Sequence, residues 1–153
     1  MLETYDAINE SIEKRLDELE HTAIGIVDRY WNWLRDVESR NSGWENKSNL
    51  RLRCERKGNS LRIDWTGLKW QGSKASGTRR PLMVYISKPK GKHAYTLTKL
   101  YQFAKDWEKP MIEETENQLV PIRWEASHLV KAMIAVRNAR AVAAAAAAAG
   151  EDK

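Results

Sequence analysis

Leu50-Arg51-Leu52-Arg53-Cys54-Glu55-Arg56, the turn Lys57-Gly58-Asn59-Ser60 and the return Leu61-Arg62-Ile63-Asp64-Trp65 decide the fold. Apolar and charged residues alternate on both sides of the turn. In a strand, successive side chains point to opposite faces. Leu50, Leu52 and Cys54 therefore share one face, and Arg51, Arg53 and Glu55 share the other. On the return, Leu61, Ile63 and Trp65 lie together, opposed by Arg62 and Asp64. Gly58 and Asn59 tolerate the positive φ that a tight hairpin needs. The pattern predicts an antiparallel hairpin with one apolar and one arginine-rich face. The charged face suits an anionic partner, and it suits equally the ordinary solvated side of a half-buried sheet.

Upstream, residues 2–39 predict a long helix. Apolar residues fall at Tyr5, Ile8, Ile12, Leu16, Leu19, Ala23, Ile26, Tyr30, Trp33 and Val37, a stripe close to a heptad. Gly25 interrupts it at about 1 kcal/mol relative to alanine. Each buried Leu or Ile contributes about 1.5–3 kcal/mol, so the helix survives. Tyr30, Trp31 and Trp33 are placed to pack the sheet.

Downstream, Thr66-Gly67-Leu68-Lys69-Trp70 leads into Gln71–Arg80, whose glycines, serines and cations read as a mobile basic loop. Leu82–Ile86 reads as a third strand and His93–Leu97 as a short fourth. Lys88, Lys90 and Lys92 sit in a basic turn between them. Helical periodicity returns at Thr98 and runs to about residue 142. It continues through Pro121 on the register Ile112, Thr115, Leu119, Ile122, Ala126, Leu129, Met133 and Val136, which predicts a kink. Residues 143–153 form an alanine-rich tail.

The expected architecture is a single α+β domain over residues 1–142: helix 2–39, a basic antiparallel sheet of three to four strands over 49–97, and helix 98–142. Two stripes of this length imply an antiparallel helical pair, an elongated shape, or a homodimer through the long helices.

The net charge of +5 conceals segregation. Residues 1–45 hold 5 basic and 11 acidic side chains; residues 46–105 hold 15 basic and 2 acidic; residues 106–153 hold 6 and 8. Such concentrated positive charge repels itself and points to an anionic partner. The lone cysteine, Cys54, fits a reducing compartment and alternates onto the apolar face. No uninterrupted apolar run reaches the ~18 residues of a membrane span. These readings imply a cytoplasmic protein with no membrane partner.

The chemistry of enzymes is not evident. His21, His93 and His128 lack ligand spacing, so neither metal nor other cofactor is expected. The Glu113-Glu114-Glu116 cluster reads as a solvated helix face. No nucleophile elbow or phosphate-binding loop is present in the sequence.

Three features together resemble a known family: the segment Arg53–Trp65, the Lys88-Pro89-Lys90-Gly91 turn with Tyr95, and Trp107-Glu108 opening an acidic helix that leads to Ile122-Arg123. Over roughly residues 15–135 the chain resembles MobI-type auxiliary proteins of conjugative transfer, found on integrative conjugative elements and large plasmids. The resemblance implies a small protein acting at the origin of transfer beside a relaxase, and it supplies no catalytic residues.

The expectation is a non-enzymatic protein that binds double-stranded DNA. Arg51, Arg53 and Arg62 would contact bases or phosphates from the hairpin. Lys69, Arg79, Arg80, Lys88, Lys90 and Lys92 would hold the backbone from the loops. Two alternatives remain at this stage. In one, the protein is an adaptor whose basic sheet docks an acidic protein. In the other, it binds RNA or single strands, with Trp65, Trp70 or Tyr85 stacking on bases; alternation turns Trp65 inward, and Trp70 in its loop is available.

Overall fold

Helix α1 spans Glu3–Arg40. The computed structural model describes residues 1–151. The α1 residues it buries are Leu16, Leu19, Ala23, Val27, Tyr30 and Leu34. Their spacing is that of a straight 3.6-residue helix. A heptad reading drifts about 20° per repeat against such a helix. Past Ala23 the expected stripe therefore slips by one residue: Val27 and Leu34 are buried, while Ile26 and Trp33 are half-exposed.

Strand β1 (Leu50–Lys57) pairs antiparallel with β2 (Ser60–Gln71), which pairs antiparallel with β3 (Arg80–Tyr85), in the order β1-β2-β3. Leu52 lies opposite Trp65 and Cys54 opposite Ile63; Arg53 lies opposite Asp64 and Glu55 opposite Arg62. The predicted faces are thus observed. Strand β2 runs on to Gln71, so Lys69 and Trp70 lie in a strand, and Arg80 opens β3. The alternation past Trp65 was masked by Gly67. That glycine is required by packing: a Cβ there would sit 2.5 Å from the Phe103 ring. The expected fourth strand at 93–97 does not form. Its Tyr95 is buried instead and donates from its hydroxyl to Asp64 at 3.4 Å.

The C-terminal segment begins with a short helix α2 (Leu97–Tyr101), then a 3-10 turn at Asp106–Glu108, then α3 (Lys109–Glu151). The helix expected over 98–142, with a kink or restart at Pro110, is interrupted after Tyr101 and restarts at Lys109. Pro110 falls in the first turn of α3, where its missing N–H costs nothing. Helix α3 passes through Pro121, which is exposed, as is Asn117 one turn before it, so solvent reaches the unpaired carbonyl. The alanine run is helical and continues α3, as alanine's helix propensity favours. Asp152 and Lys153 lie outside the described residues.

Helices α1 and α3 pack antiparallel. Arg15 holds Glu125 with a bidentate pair at 2.6 and 3.0 Å, and Arg140 holds Asp6 at 2.8 Å. Each stripe thus covers the other within one chain. By length and composition alone the span Asp106–Glu151 is apolar enough to cross a membrane, although no unbroken apolar run of that length exists. The core lies where the helix pair meets the inner face of the sheet. Tyr30 meets Trp65 edge-on with ring centroids 5.1 Å apart. Trp31 caps the free edge of β1 by donating to the Leu52 carbonyl at 2.8 Å.

Candidate nucleic-acid interface

The hairpin β1–β2 is bedded on α1. Arg56 at its end reaches Asp17 at 2.6 Å and Glu20 at 3.6 Å. Only its outer face is free, and there Glu55 and Asp64 offset part of the charge of Arg51, Arg53, Lys57 and Arg62. Arg53 lies 3.6 Å from Glu55, while Arg62 opposes Glu55 across the strands. Arg51 is half-buried. It donates to the carbonyls of Ser48 at 3.2 Å and Leu50 at 3.0 Å, and stacks 5.7 Å from the Trp31 ring. Of the three expected readers, Arg53 and Arg62 are exposed and Arg51 is committed to the sheet edge.

The free two-stranded ribbon is the next one along. Every residue from Lys69 to Met83 is exposed. This segment contains Lys69, Lys74, Arg79 and Arg80 and no acid. Three strand residues, Lys69–Gln71, extend toward its turn, a reach of about 10 Å at ~3.3 Å each. The turn is hydrogen-bonded throughout and is not slack. Thr78 N–H donates to the Ser73 carbonyl at 3.1 Å, and Ser73 N–H to the Thr78 hydroxyl at 3.1 Å. Gly72 at φ +81° lies so close that a Cβ would overlap the Thr78 carbonyl.

The two faces of the ribbon differ. One carries Trp70, Pro81 and Met83, with the Arg79 guanidinium 4.9 Å over the Trp70 ring. The other carries Lys69 opposite Leu82 and Gln71 opposite Arg80. Gln71 was not expected from the sequence; the continued alternation into Gln71 was its only signal.

Lys88, Lys90 and Lys92 do not join the ribbon. Lys88 lies 3.7 Å from Asp64 and 4.7 Å over the Tyr95 ring. It lines a cleft of about 350 Å³ together with Arg62, Asp64 and Lys131. Lys90 and Lys92 are exposed in the adjoining turn.

Beneath this turn lies a buried polar cluster. Glu116 and Arg123, two turns apart on α3, form a bidentate pair at 2.8 and 2.9 Å. Glu116 also accepts from Trp65 Nε1 at 2.9 Å and Tyr95 N–H at 2.7 Å. Arg123 donates to the carbonyls of Ile63 at 2.8 Å and His93 at 3.0 Å. Glu116 is therefore a core residue, contrary to its reading as part of a solvated cluster, whereas Glu113 and Glu114 are exposed. A second buried carboxylate, Glu108, accepts from the Ser48 hydroxyl at 2.8 Å, and burial raises its pKa above the usual carboxylate value. Burial likewise pushes the Cys54 thiol up to about 11, which suits a packing residue and not a nucleophile. These groups fasten α3, β2 and the 87–96 segment together and set the position of the basic turns.

No curated protein and no solved structure matches the chain. A family model described as "MobI protein" matches residues 19–137, which include α1 from Leu19, the whole sheet, the buried pair and α3 to Arg137. With that match covering most of its length, the chain belongs to the MobI family, whose name ties it to mobilisation in conjugation.

Proposed function

We propose that this MobI-family chain is a non-enzymatic, cytoplasmic accessory protein that binds double-stranded DNA at an origin of transfer and assists a relaxase there. The observation that carries the reading is the exposed β2–β3 ribbon, with four cations and no acid between Lys69 and Met83. A major groove admits a two-stranded ribbon and is about 8.5 Å deep, comparable to the ribbon's reach. Arg80 and Gln71 lie side by side on one face. Arginine suits guanine edges and glutamine suits adenine edges, so this pair can read bases. Lys69, Lys74 and Arg79 hold phosphates alongside. Arg53 and Arg62 contribute phosphate contacts from the outer sheet face.

The test is competition binding to duplexes carrying the transfer origin or a scrambled sequence, at several salt concentrations. If Lys69, Lys74, Arg79, Arg53 and Arg62 each neutralise a phosphate, log affinity falls against log salt with a slope of about −4.5. Arg80→Ala costs about 1–3 kcal/mol on the cognate site and relaxes preference; Lys74→Ala weakens all sequences and reduces the slope by about 1. A flat salt dependence, or Arg80→Ala lowering both sequences equally, refutes this assignment. Retention by an acidic protein in place of DNA would favour the adaptor reading.

A further inference from the structure

At the root of the ribbon a cleft of about 300 Å³ opens between segments far apart in the chain. Its walls carry two exposed indoles, Trp44 (75 % exposed) and Trp70 (51 % exposed). Four cations surround them: Lys47, Arg51, Arg79 and Lys105. Glu38 is the one carboxylate in the lining, and it accepts the Ser48 N–H at 3.0 Å.

The two indoles are prepared alike. Arg79 lies 4.9 Å over the Trp70 ring, and Lys105 lies 4.8 Å over the Trp44 ring. A cation on one face of a ring leaves the other face for a flat partner. Two of the cations are held in place by backbone carbonyls, and Lys47 and Arg79 keep donors for a ligand. Lys105 donates to the carbonyls of Trp44 at 2.7 Å and Lys47 at 3.0 Å, and Arg51 is fixed by Ser48 and Leu50. Apart from these cations, the two large indoles stand largely in water at the mouth of a net-positive cleft. Aromatic faces beside fixed positive charge are the arrangement that binds an unpaired base together with its phosphate.

We infer that this cleft takes one unpaired nucleotide of DNA, the base stacking on Trp44 or Trp70 and its phosphates meeting Lys47 and Arg79. The inference rests on the proposed DNA-binding function and adds to it. The ribbon engages paired DNA, and the cleft at its root captures a base that has left the stack. An intact duplex hides the faces of its bases, so the cleft favours locally opened DNA over closed DNA.

The experiment compares three short duplexes identical except at one position: fully paired, carrying one extra unpaired thymidine, and carrying an abasic nucleotide at that place. Each is titrated against the full chain and against Trp44→Ala, Trp70→Ala and the corresponding Trp→Phe variants. The wild type binds the duplex with the unpaired base more tightly than the other two. Trp→Ala at the indole that carries the base removes about 5- to 150-fold on that duplex alone, the range for loss of one base stack, and the other Trp→Ala change has the smaller effect. Trp→Phe keeps a ring and most of the affinity. Thermal melts of the variants check folding, and Trp44, being the more exposed, carries the test if Trp70→Ala unfolds. If the wild type binds all three duplexes alike, or if Trp→Ala weakens all three equally, the nucleotide site is wrong while duplex binding stands. A preference that survives both Trp→Ala changes places the base elsewhere and also overturns the site. No binding to any of the three refutes the proposed function itself, and the cleft's role with it.

Discussion

Replacing Arg123 by methionine strands the Glu116 carboxylate. Glu116 and Arg123 are 2 % and 6 % exposed, and their pair ties α3 to β2 and to the 87–96 segment. Breaking a buried pair by removing one partner costs about 3–5 kcal/mol, a large share of the ~5–15 kcal/mol that stabilises a typical domain. With a urea m-value of about 2 kcal/mol/M, the midpoint falls by about 2 M. In many proteins a buried ion pair can be exchanged for apolar residues at little cost. Here that exchange fails, because Glu116→Met/Arg123→Met leaves Trp65 Nε1, the Tyr95 N–H and the carbonyls of Ile63 and His93 without their partners. Each such loss costs about 1–3 kcal/mol, so the double variant stays at least about 4 kcal/mol below wild type. Urea titrations of wild type, both single variants and the double variant complete the cycle. A double variant as stable as wild type refutes the reasoning, and so do single effects that simply add.

Three further outcomes are expected. Gly72→Ala, which cannot keep φ +81° or clear the Thr78 carbonyl, reshapes the ribbon turn and weakens duplex binding while the thermal midpoint barely moves; intact binding shows that the turn is not part of the interface. Burial raises the Glu108 pKa, so the native state holds more protons than the unfolded chain between the ordinary value of 4.5 and the raised value. Stability therefore falls as pH rises through that window, a slope that Glu108→Gln removes; parallel pH profiles for the two proteins contradict it. A homodimer through the long helices would have to bury exposed apolar residues of α1 and α3, among them Ile8, Ile24, Ile134 and Val142. Ile134→Glu is then expected to lower the sedimentation coefficient to that of one 17.7 kDa chain without changing the melt, and an unchanged coefficient excludes that interface.

The parts of the fold that depend on neighbours in sequence were legible. Alternation placed Leu52, Ile63 and Trp65 inside, and the 3–4 spacing placed Leu16, Leu19, Leu119 and Met133 in the helix pair. Legibility failed where two local signals conflicted. Gly67 reads as a loop residue, yet it continues a strand because Phe103 occupies the space of its side chain. Glu116 sits in an acidic run, yet it shares a helix face with Arg123 two turns on, and only the fold shows that this face is buried. The candidate site shows the same limit. Net charge located the basic third of the chain, but which hairpin was free depended on Arg56 meeting Asp17, a contact between residues 39 positions apart. Trp44, Trp70 and Lys105 share one cleft only because the 3-10 turn at Trp44–Asn46, strand β2 and the linker before Asp106 converge there.

The acidic helix lies behind a sheet whose basic ribbon points away from it, and this gives the molecule an electrical front and back. Near a polyanion it experiences a torque as well as an attraction, so encounters begin ribbon-first and productive collisions are more frequent than random tumbling allows. Within a Debye length of about 8 Å at physiological salt, the rear repels any second phosphate backbone. On the proposed DNA-binding function, a chain built this way coats one side of one duplex, and a single copy does not bridge two.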